Sequence, residues 1–358
     1  MTFVYNHCDP LEKQTPLPIK IRELQWNNLS VHNYIERRVS VPTSGGQQVV
    51  LLLRTDSEHL AKFFAMNWPT DLSSGKPDAT ITALKESALS YGLGQELDES
   101  RWFCPKANQV WMFGNEFYGN IKITVRGLCS EIAPLDQMFL HGCSLAIDGR
   151  GIVLSGASGA GKTTLTAALR KMLGSRIHII NDDWGPFSPK NGRLQFTGEP
   201  YLHMKYPSVG TLATQLKISP AVCPSENFSG DVNNPRARLL IAPNQVFGFE
   251  GLQNEAKLRL FVVIRRDPAS MAGIQYLSRN DISLLERSQY SRFYQRTECF
   301  FNGSLFLFDD ARKMRERDRH RALLSDFPCI SINNTASPKE SAELILAALE
   351  KISSPQDI

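Results

Sequence analysis

Nowhere does the sequence hold an apolar run approaching the roughly 18 residues needed to cross a bilayer, so no transmembrane helix is expected. The first stretch, MTFVYNHCDPLEKQ, carries acids and a proline where a secretory leader would be apolar. Cysteine pairs at metal-binding spacing are also missing. The seven cysteines (Cys8, Cys104, Cys129, Cys143, Cys223, Cys299 and Cys329) are scattered, odd in number and never form CxxC, which argues against a disulfide framework or a zinc site. A soluble protein of the reducing cytoplasm is the expectation. Charge of one sign is scarce as well: 40 Lys and Arg against 36 Asp and Glu leave +4 over 358 residues, too weak for the basic stripe of a nucleic-acid binder. The one basic run, RKMRERDRHR from Arg312 to Arg321, is interleaved with Glu316 and Asp318 and reads as a solvated helix face. Neither nucleic acid nor a membrane is expected as a partner. Internal repeats and low-complexity tracts are absent.

What is present suits a folded enzyme. The chain is 42% hydrophobic and 21% charged, enough to build a substantial core, and its length suggests one large domain with a smaller one. RRVSVPTSGGQQVVLLLR, Arg37 to Arg54, gives two strand-like runs around a Gly-Gly turn. SEHLAKFFAMNW then reads as a helix closed by Pro69. Residues 1–119 are expected to form a mixed α+β domain with Trp68, Trp102 and Trp111 in its core, and residues 120–358 a second, catalytic domain. Near Asn120 the stretch NIKITVRG alternates like a strand. Met138 to Ile147 continues strand-like, Asp148 and Gly149 make a tight turn, and Gly151 to Ser155 is an apolar strand running into a glycine loop. TTLTAALRKML follows as a helix ended by Gly174, and RIHII as a short buried strand. Strand, glycine loop, helix, strand is the order of an α/β nucleotide-binding core.

The loop GASGAGKTT matches GxxxxGK[ST] in full, with Gly156, Gly161, Lys162 and Thr163 at the fixed positions and Ala157, Ser158, Gly159, Ala160 and Thr164 completing it. Glycines let successive N–H groups converge on phosphate oxygens, and the helix terminus adds partial positive charge. Lys162 is placed to reach the β and γ phosphates, and the Thr163 hydroxyl to reach Mg²⁺. Downstream, IHIINDDWG sets Asp182 and Asp183 at the end of the next strand. One acid suffices to hold the metal, and a second can accept a proton from an attacking hydroxyl, the division between them being open. A turn through Trp184, Gly185 and Pro186 would let both reach one site. His141 lies in a strand expected to pair with the one feeding the loop, which would set its imidazole near the γ-phosphate.

On these residues the sequence resembles the catalytic domain of HPr kinase/phosphorylase and, more distantly, phosphoenolpyruvate carboxykinase. HGCSLAIDGRGIVLSGASGAGKTT carries the likeness in its His-Gly, its later glycines and the spacing from His141 to Gly156, and NDDW resembles the paired-Asp motif. The likeness is best over Ile121 to Ser188. It implies an α/β core with a P-loop and a mixed sheet, preceded by the smaller α+β domain, with ATP as donor. By position it implies that Lys162 binds phosphates, that Thr163 and one of Asp182 and Asp183 hold Mg²⁺, that the other acid is the base, and that His141 lies beside the transferring group. The activity implied is that of a kinase acting on a hydroxyl of a serine side chain, a free amino acid or another alcohol, and a homo-oligomer is compatible with it. Two alternatives stand beside it: carboxykinase-like transfer onto an enolate, and a non-catalytic nucleotide-binding regulator.

Outside this core, GEPYLHMKYP could set Tyr201, His203 and Lys205 on one strand face, with Glu199 before them. NNPRARLLIAP and LRLFVVIRRDP bring Arg236 and Arg238, and Arg265 and Arg266, to apolar strands. Strand ends in α/β sheets are where ligands bind, which makes Arg265 a candidate for the nucleotide. The preceding domain is expected to recognise the acceptor or partner, since a glycine loop with two acids has no acceptor specificity of its own.

Overall fold

A computed structural model of the chain describes residues 3–6, 34–43, 47–68, 70–86, 90, 103–106, 109–113, 118–132, 137–157, 159–197, 202–205, 237–241, 251–267, 273–290, 310–335 and 337–353. It is a mixed α/β structure built on three sheets.

The amino-terminal unit is a five-stranded sheet of order β2-β3-β4-β6-β5, formed by β2 (Ile35–Pro42), β3 (Gln48–Thr55), β4 (Ala79–Ala83), β5 (Phe103–Lys106) and β6 (Gln109–Met112). Alternation makes β3 a half-buried strand: Val49, Leu51 and Leu53 point into the core. Helix α1 (Glu58–Asn67) starts where the Ser57 hydroxyl accepts the Leu60 N–H at 3.3 Å, and it buries Leu60, Phe63 and Phe64. Each such fully buried side chain contributes roughly 1.5–3 kcal/mol relative to exposure.

The segment expected as a strand from Asn120 is instead part of helix α2 (Tyr118–Ile132). Ile121, Val125, Leu128 and Cys129 recur at helical spacing and pack into the core of the amino-terminal sheet together with Trp184. The β-branched Ile121, Ile123, Thr124 and Val125 mimic a strand over a short window, but burial at i, i+4, i+7 and i+8 decides for the helix. Lys122, Thr124 and Arg126 are buried too, so polar positions of α2 are also covered.

The central sheet has nine strands and mixed direction. Its members are β7 (Met138–His141), β8 (Cys143–Ile147), β9 (Arg150–Gly156), β10 (Ile177–Asn181), β11 (Trp184–Ser188), β12 (Arg193–Gln195), β15 (Glu255–Arg265), β16 (Ile274–Tyr276) and β17 (Cys329–Asn333). Strands β9, β15 and β17 are parallel, which brings Gly156, Arg265 and Asn333 to one edge. Helices α3 (Lys162–Leu173) and α6 (Pro338–Ser353) cover one face, over Leu154, Val262, Ile264 and Ile332. Helices α4 (Ile282–Tyr290) and α5 (Asp310–Asp326) cover the other, over Val153, Phe261 and Val263. The basic run falls in α5, where Arg317, Asp318 and Arg321 are exposed as a solvated face requires.

A third sheet pairs β1 (Phe3–Asn6), β14 (Ala237–Ile241) and β13 (Leu202–Lys205), so the start of the chain returns to its second half. Among the described residues no helix is long and apolar enough to cross a membrane, and Cys129, Cys143 and Cys329 are buried free thiols.

Candidate functional site

The glycine loop leaves β9 at Gly156 and enters α3 at Lys162, at the edge where the parallel strands end. Left-handed backbone at Gly159 (φ 87°) and Gly161 (φ 105°) lets the chain wrap round on itself. Ala160 N–H donates to the Ala157 carbonyl at 3.0 Å, and Leu165 N–H to the Gly161 carbonyl at 2.9 Å, starting the helix. The Lys162 ammonium folds back over the loop and donates to the Gly156 carbonyl at 2.6 Å. Ala157 and Gly159 are exposed, and Thr163 and Thr164 are half-buried in the first turn of α3. Ser158 lies outside the described residues.

Asp182 and Asp183 themselves form the bend between β10 and β11. Trp184, Gly185 and Pro186 are therefore not the turn that was expected; they begin a buried strand. The bend is fixed by Asn181, which sequence reasoning passed over. Its side-chain carbonyl accepts the N–H and the hydroxyl of Thr197 at 2.9 and 3.0 Å, and its amide donates to the Gln195 carbonyl at 2.7 Å.

His141 reaches the acids by another route than the expected pairing. The run Met138 to Ile147 is broken at Gly142, where a Cβ would stand 2.7 Å from the Leu154 carbonyl oxygen. Strand β8, after the break, pairs with β9, while β7 crosses to pair with β11 and sets His141 opposite Trp184. The Gly142 N–H donates to the Asp183 carbonyl at 3.0 Å. The Ser155 hydroxyl donates to the His141 carbonyl at 2.8 Å, keeping the histidine beside the strand that feeds the loop. His141 Nδ1 sits 2.9 Å from the Ser288 carbonyl oxygen, an acceptor that requires a hydrogen on Nδ1 and turns Nε2 to Asp183 Oδ1 at 3.5 Å.

The shortest contact described for Asp183 comes from α2, the helix packed on the amino-terminal sheet. Arg126 of α2 donates from Nη1 to Asp183 Oδ2 at 2.6 Å. Its guanidinium lies 5.6 Å from the centre of the Trp184 ring, and that ring stacks on Phe139 at 4.1 Å with 4° between planes. Removal from water pushes the Asp183 carboxyl up, but the charges of Arg126, His141 and Lys122 outweigh this and hold it well below the usual carboxylate range. Lys122 and Arg126 stand four residues apart, on one face of α2. The missed signal was this helical spacing of two cations within an otherwise apolar pattern.

Asp182 acts electrostatically on a thiol beneath α3. The buried Cys143 thiol, pushed up by desolvation and then by Asp182, lies under α3, where the Thr166 hydroxyl donates to its sulfur at 3.4 Å and the charge of Lys162 is also felt. Asp183 acts on the same thiol less strongly, and it alone of the two has a described ion pair with Arg126 of α2.

The hydrogen bonds described for the Arg265 side chain run to neighbouring strands. Its Nε donates to the Ser331 hydroxyl at 2.7 Å and its Nη2 to Gln275 Oε1 at 3.4 Å. Following Val263 and Phe261 in strand parity, it sits on the sheet face away from α3. Arg266 is exposed just beyond. Glu199, Tyr201 and Arg236 lie outside the described residues, as do the side chains of His203, Lys205 and Arg238.

No family model matches the chain. Among curated proteins it is 26% identical over 210 residues to "Phosphoenolpyruvate carboxykinase (ATP)" of Novosphingobium aromaticivorans, a match covering 56% of this chain and 34% of that protein. It is 25% identical over 245 residues to the protein of the same name from Rhizobium johnstonii, covering 65% of this chain and 40% of that one. The matches thus span well under half the length of these relatives. Among solved structures it is similar to the Hpr(Ser) kinase/phosphatase from Coxiella burnetii at 12% identity and a TM-score of 0.31, with 61% of this chain and 99% of that chain covered.

Proposed function

We propose that the chain is an ATP- and Mg²⁺-dependent phosphotransferase that moves the γ-phosphoryl group to a hydroxyl acceptor. One observation carries the reading: a complete GxxxxGK[ST] loop at the end of a parallel strand, with two adjacent acids on the neighbouring bend. The curated relatives, both named for an ATP-dependent carboxykinase, support a phosphoryl-transfer class.

In this reading the amides of residues 156–161 and the start of α3 cradle the phosphates, and Lys162 leaves its loop carbonyl to meet the β and γ oxygens. Magnesium asks for hard oxygen ligands, few of them from protein, and the Asp182 carboxylate and Thr163 hydroxyl fit that need. Bound there, Mg²⁺ would neutralise charge on the β and γ oxygens. Asp183 orients the acceptor hydroxyl. As the acceptor oxygen bonds to the γ-phosphorus, the bond from phosphorus to the β–γ bridging oxygen breaks, ADP leaves and the hydroxyl proton passes to Asp183. A carboxylate held ionised by Arg126 is a weak base, but the hydroxyl needs little activation in a loose transition state, where positioning dominates. Lys122 adds positive charge on the acceptor side, and the His141 imidazole can hydrogen-bond there. The amino-terminal unit then completes the centre by supplying Lys122 and Arg126, in addition to any role in recognising the acceptor.

The test is transfer of label from γ-³²P ATP to hydroxyl-bearing amino acids, peptides and sugars, with Asp183→Asn as the inactive control. No ATP turnover with any acceptor would reject the reading. A second reading, carboxykinase-like transfer to an enolate, is favoured by the curated relatives and by two cations beside Asp183 that could face carboxylates. Formation of phosphoenolpyruvate from oxaloacetate and ATP would move it ahead, and none is expected.

A further inference from the structure

The final strand touches the glycine loop in a way the motif does not announce. Strand β17 ends beside β15, and the two asparagines at its exit divide their contacts. The Asn333 side chain accepts the Asp267 N–H at 2.9 Å and donates to the Asp267 carbonyl at 2.9 Å, extending the sheet by one side-chain pair. Asn334 turns to the loop: its Nδ2 donates to the Ala160 carbonyl at 3.0 Å.

Asn334 has little freedom to do otherwise. Its backbone N–H donates to the Arg265 carbonyl at 2.8 Å, and its Oδ1 accepts the hydroxyl of the buried Ser341 in α6 at 2.9 Å. Reversing the amide would set Oδ1 against the Ala160 oxygen, two acceptors face to face. Gly161 makes the approach possible, since a Cβ at that residue would collide with Asn334 Nδ2, in addition to the strain of its positive φ. In a planar trans peptide the carbonyl and the following N–H point in opposite directions. Pinning the Ala160 carbonyl on Asn334 therefore aims the Gly161 N–H to the opposite side, away from Asn334.

We infer that Asn334 is a positioning residue, which fixes the Ala160–Gly161 peptide so that its N–H faces the phosphates of a bound nucleotide before that nucleotide arrives. The inference rests on the nucleotide-binding reading above. It makes the last strand and α6, 173 residues after the motif's Gly161, part of the loop's preorganisation.

The test is Mg·ATP affinity by calorimetry for the parent chain, Asn334→Ala, Asn334→Asp and Ser341→Ala, each with a thermal melt. Loss of one oriented hydrogen bond should weaken ATP by about 3- to 10-fold in Asn334→Ala. Asn334→Asp keeps the shape, cannot donate and adds negative charge, so it should bind more weakly than Asn334→Ala. Ser341→Ala frees the amide and should give a smaller loss, with no further loss when combined with Asn334→Ala. A purely structural asparagine would lower the melting temperature in both Asn334 variants and leave the ATP affinity of the folded protein, and of Ser341→Ala, unchanged. That result, with the parent chain binding ATP, would overturn the inference alone. A parent chain that does not bind ATP would overturn the nucleotide reading and the inference with it.

Discussion

Replacing Arg126 with Met keeps the length and apolar stem of the side chain and removes only the cation. In the folded chain the Arg126 side chain is 10% exposed and that of Asp183 37%, with 2.6 Å between Nη1 and Oδ2. Breaking a buried pair costs roughly 3–5 kcal/mol, because an uncompensated charge stays behind. Exposed pairs are worth about 0–1 kcal/mol. A pair buried on one side and one-third open on the other should fall between, at about 1–3 kcal/mol, eased by the charge of Lys122 and the His141 hydrogen bond, which still act on Asp183. The sign with pH follows from the direction of the shift. Asp183 is held below its unfolded value, so its contribution is full above roughly pH 4 and is lost as pH falls through the lower folded-state value. Urea unfolding of parent and Arg126→Met should differ by that amount between pH 6 and 8, about two units or more above the ordinary carboxylate range, and the two should converge in acid. Equal midpoints and slopes at neutral pH would refute the claim that α2 anchors Asp183 through this pair. On the proposed roles turnover should fall while Mg·ATP affinity holds, since the hydrogen bond described for Arg126 runs to Asp183.

The two acids should separate kinetically: Asp182→Asn weakens Mg·ATP binding and turnover together, whereas Asp183→Asn spares nucleotide binding and cuts single-turnover transfer by about 10² to 10⁴. Parent rates in both would make the pair an ordinary bend. Gly142→Ala forces a methyl against the Leu154 carbonyl and the Val153 side chain, and should cost about 1–3 kcal/mol in a denaturant melt. A neutral result would mean that the break between β7 and β8 has another cause. His320 is buried in α5, and desolvation followed by the charge of Arg319 lowers it to about 4 from an ordinary 6.5. Its contribution is therefore present above the unfolded value and lost as pH falls toward 4, a change of about 3 kcal/mol. Unfolding free energies of His320→Leu should consequently depend less on pH between 7 and 4 than those of the parent, and parallel curves would contradict this.

Much of the site's frame could be read from the chain because its signals are local. The glycine loop, the helix from Lys162 to Leu173, the Asp148–Gly149 turn and the strand before Asp182 each follow from short-range steric rules. What escaped depends on partners far away in sequence. Arg126 looked like one position of an alternating strand, and only packing of Ile121, Val125 and Leu128 on the amino-terminal sheet makes it a buried helix cation aimed at Asp183. His141 was expected near the γ-phosphate through pairing with the loop-feeding strand, but the crossover after it was invisible, since β7 pairs with a strand that begins 43 residues later at Trp184. Arg265 lies at the end of β15 as expected; what the sequence did not show is that Ser331 on the neighbouring strand takes its guanidinium. Asn334 had no motif at all; its meaning lies in a hydrogen bond to Ala160, set by sheet order rather than by sequence.

Calorimetric titration of Mg·ATP into the parent chain and into Lys162→Ala tests the central claim most directly. The Lys162 ammonium hydrogen-bonds to its own loop carbonyls, a local contact, and the variant should keep its melting temperature within a few degrees, roughly the span of 1 kcal/mol. The expected result is saturable one-to-one binding by the parent chain and a loss of at least about tenfold in the variant, the equivalent of 1.4 kcal/mol. Equal ATP affinity in the two proteins would contradict the account, because the loop would then not be the place where the nucleotide binds.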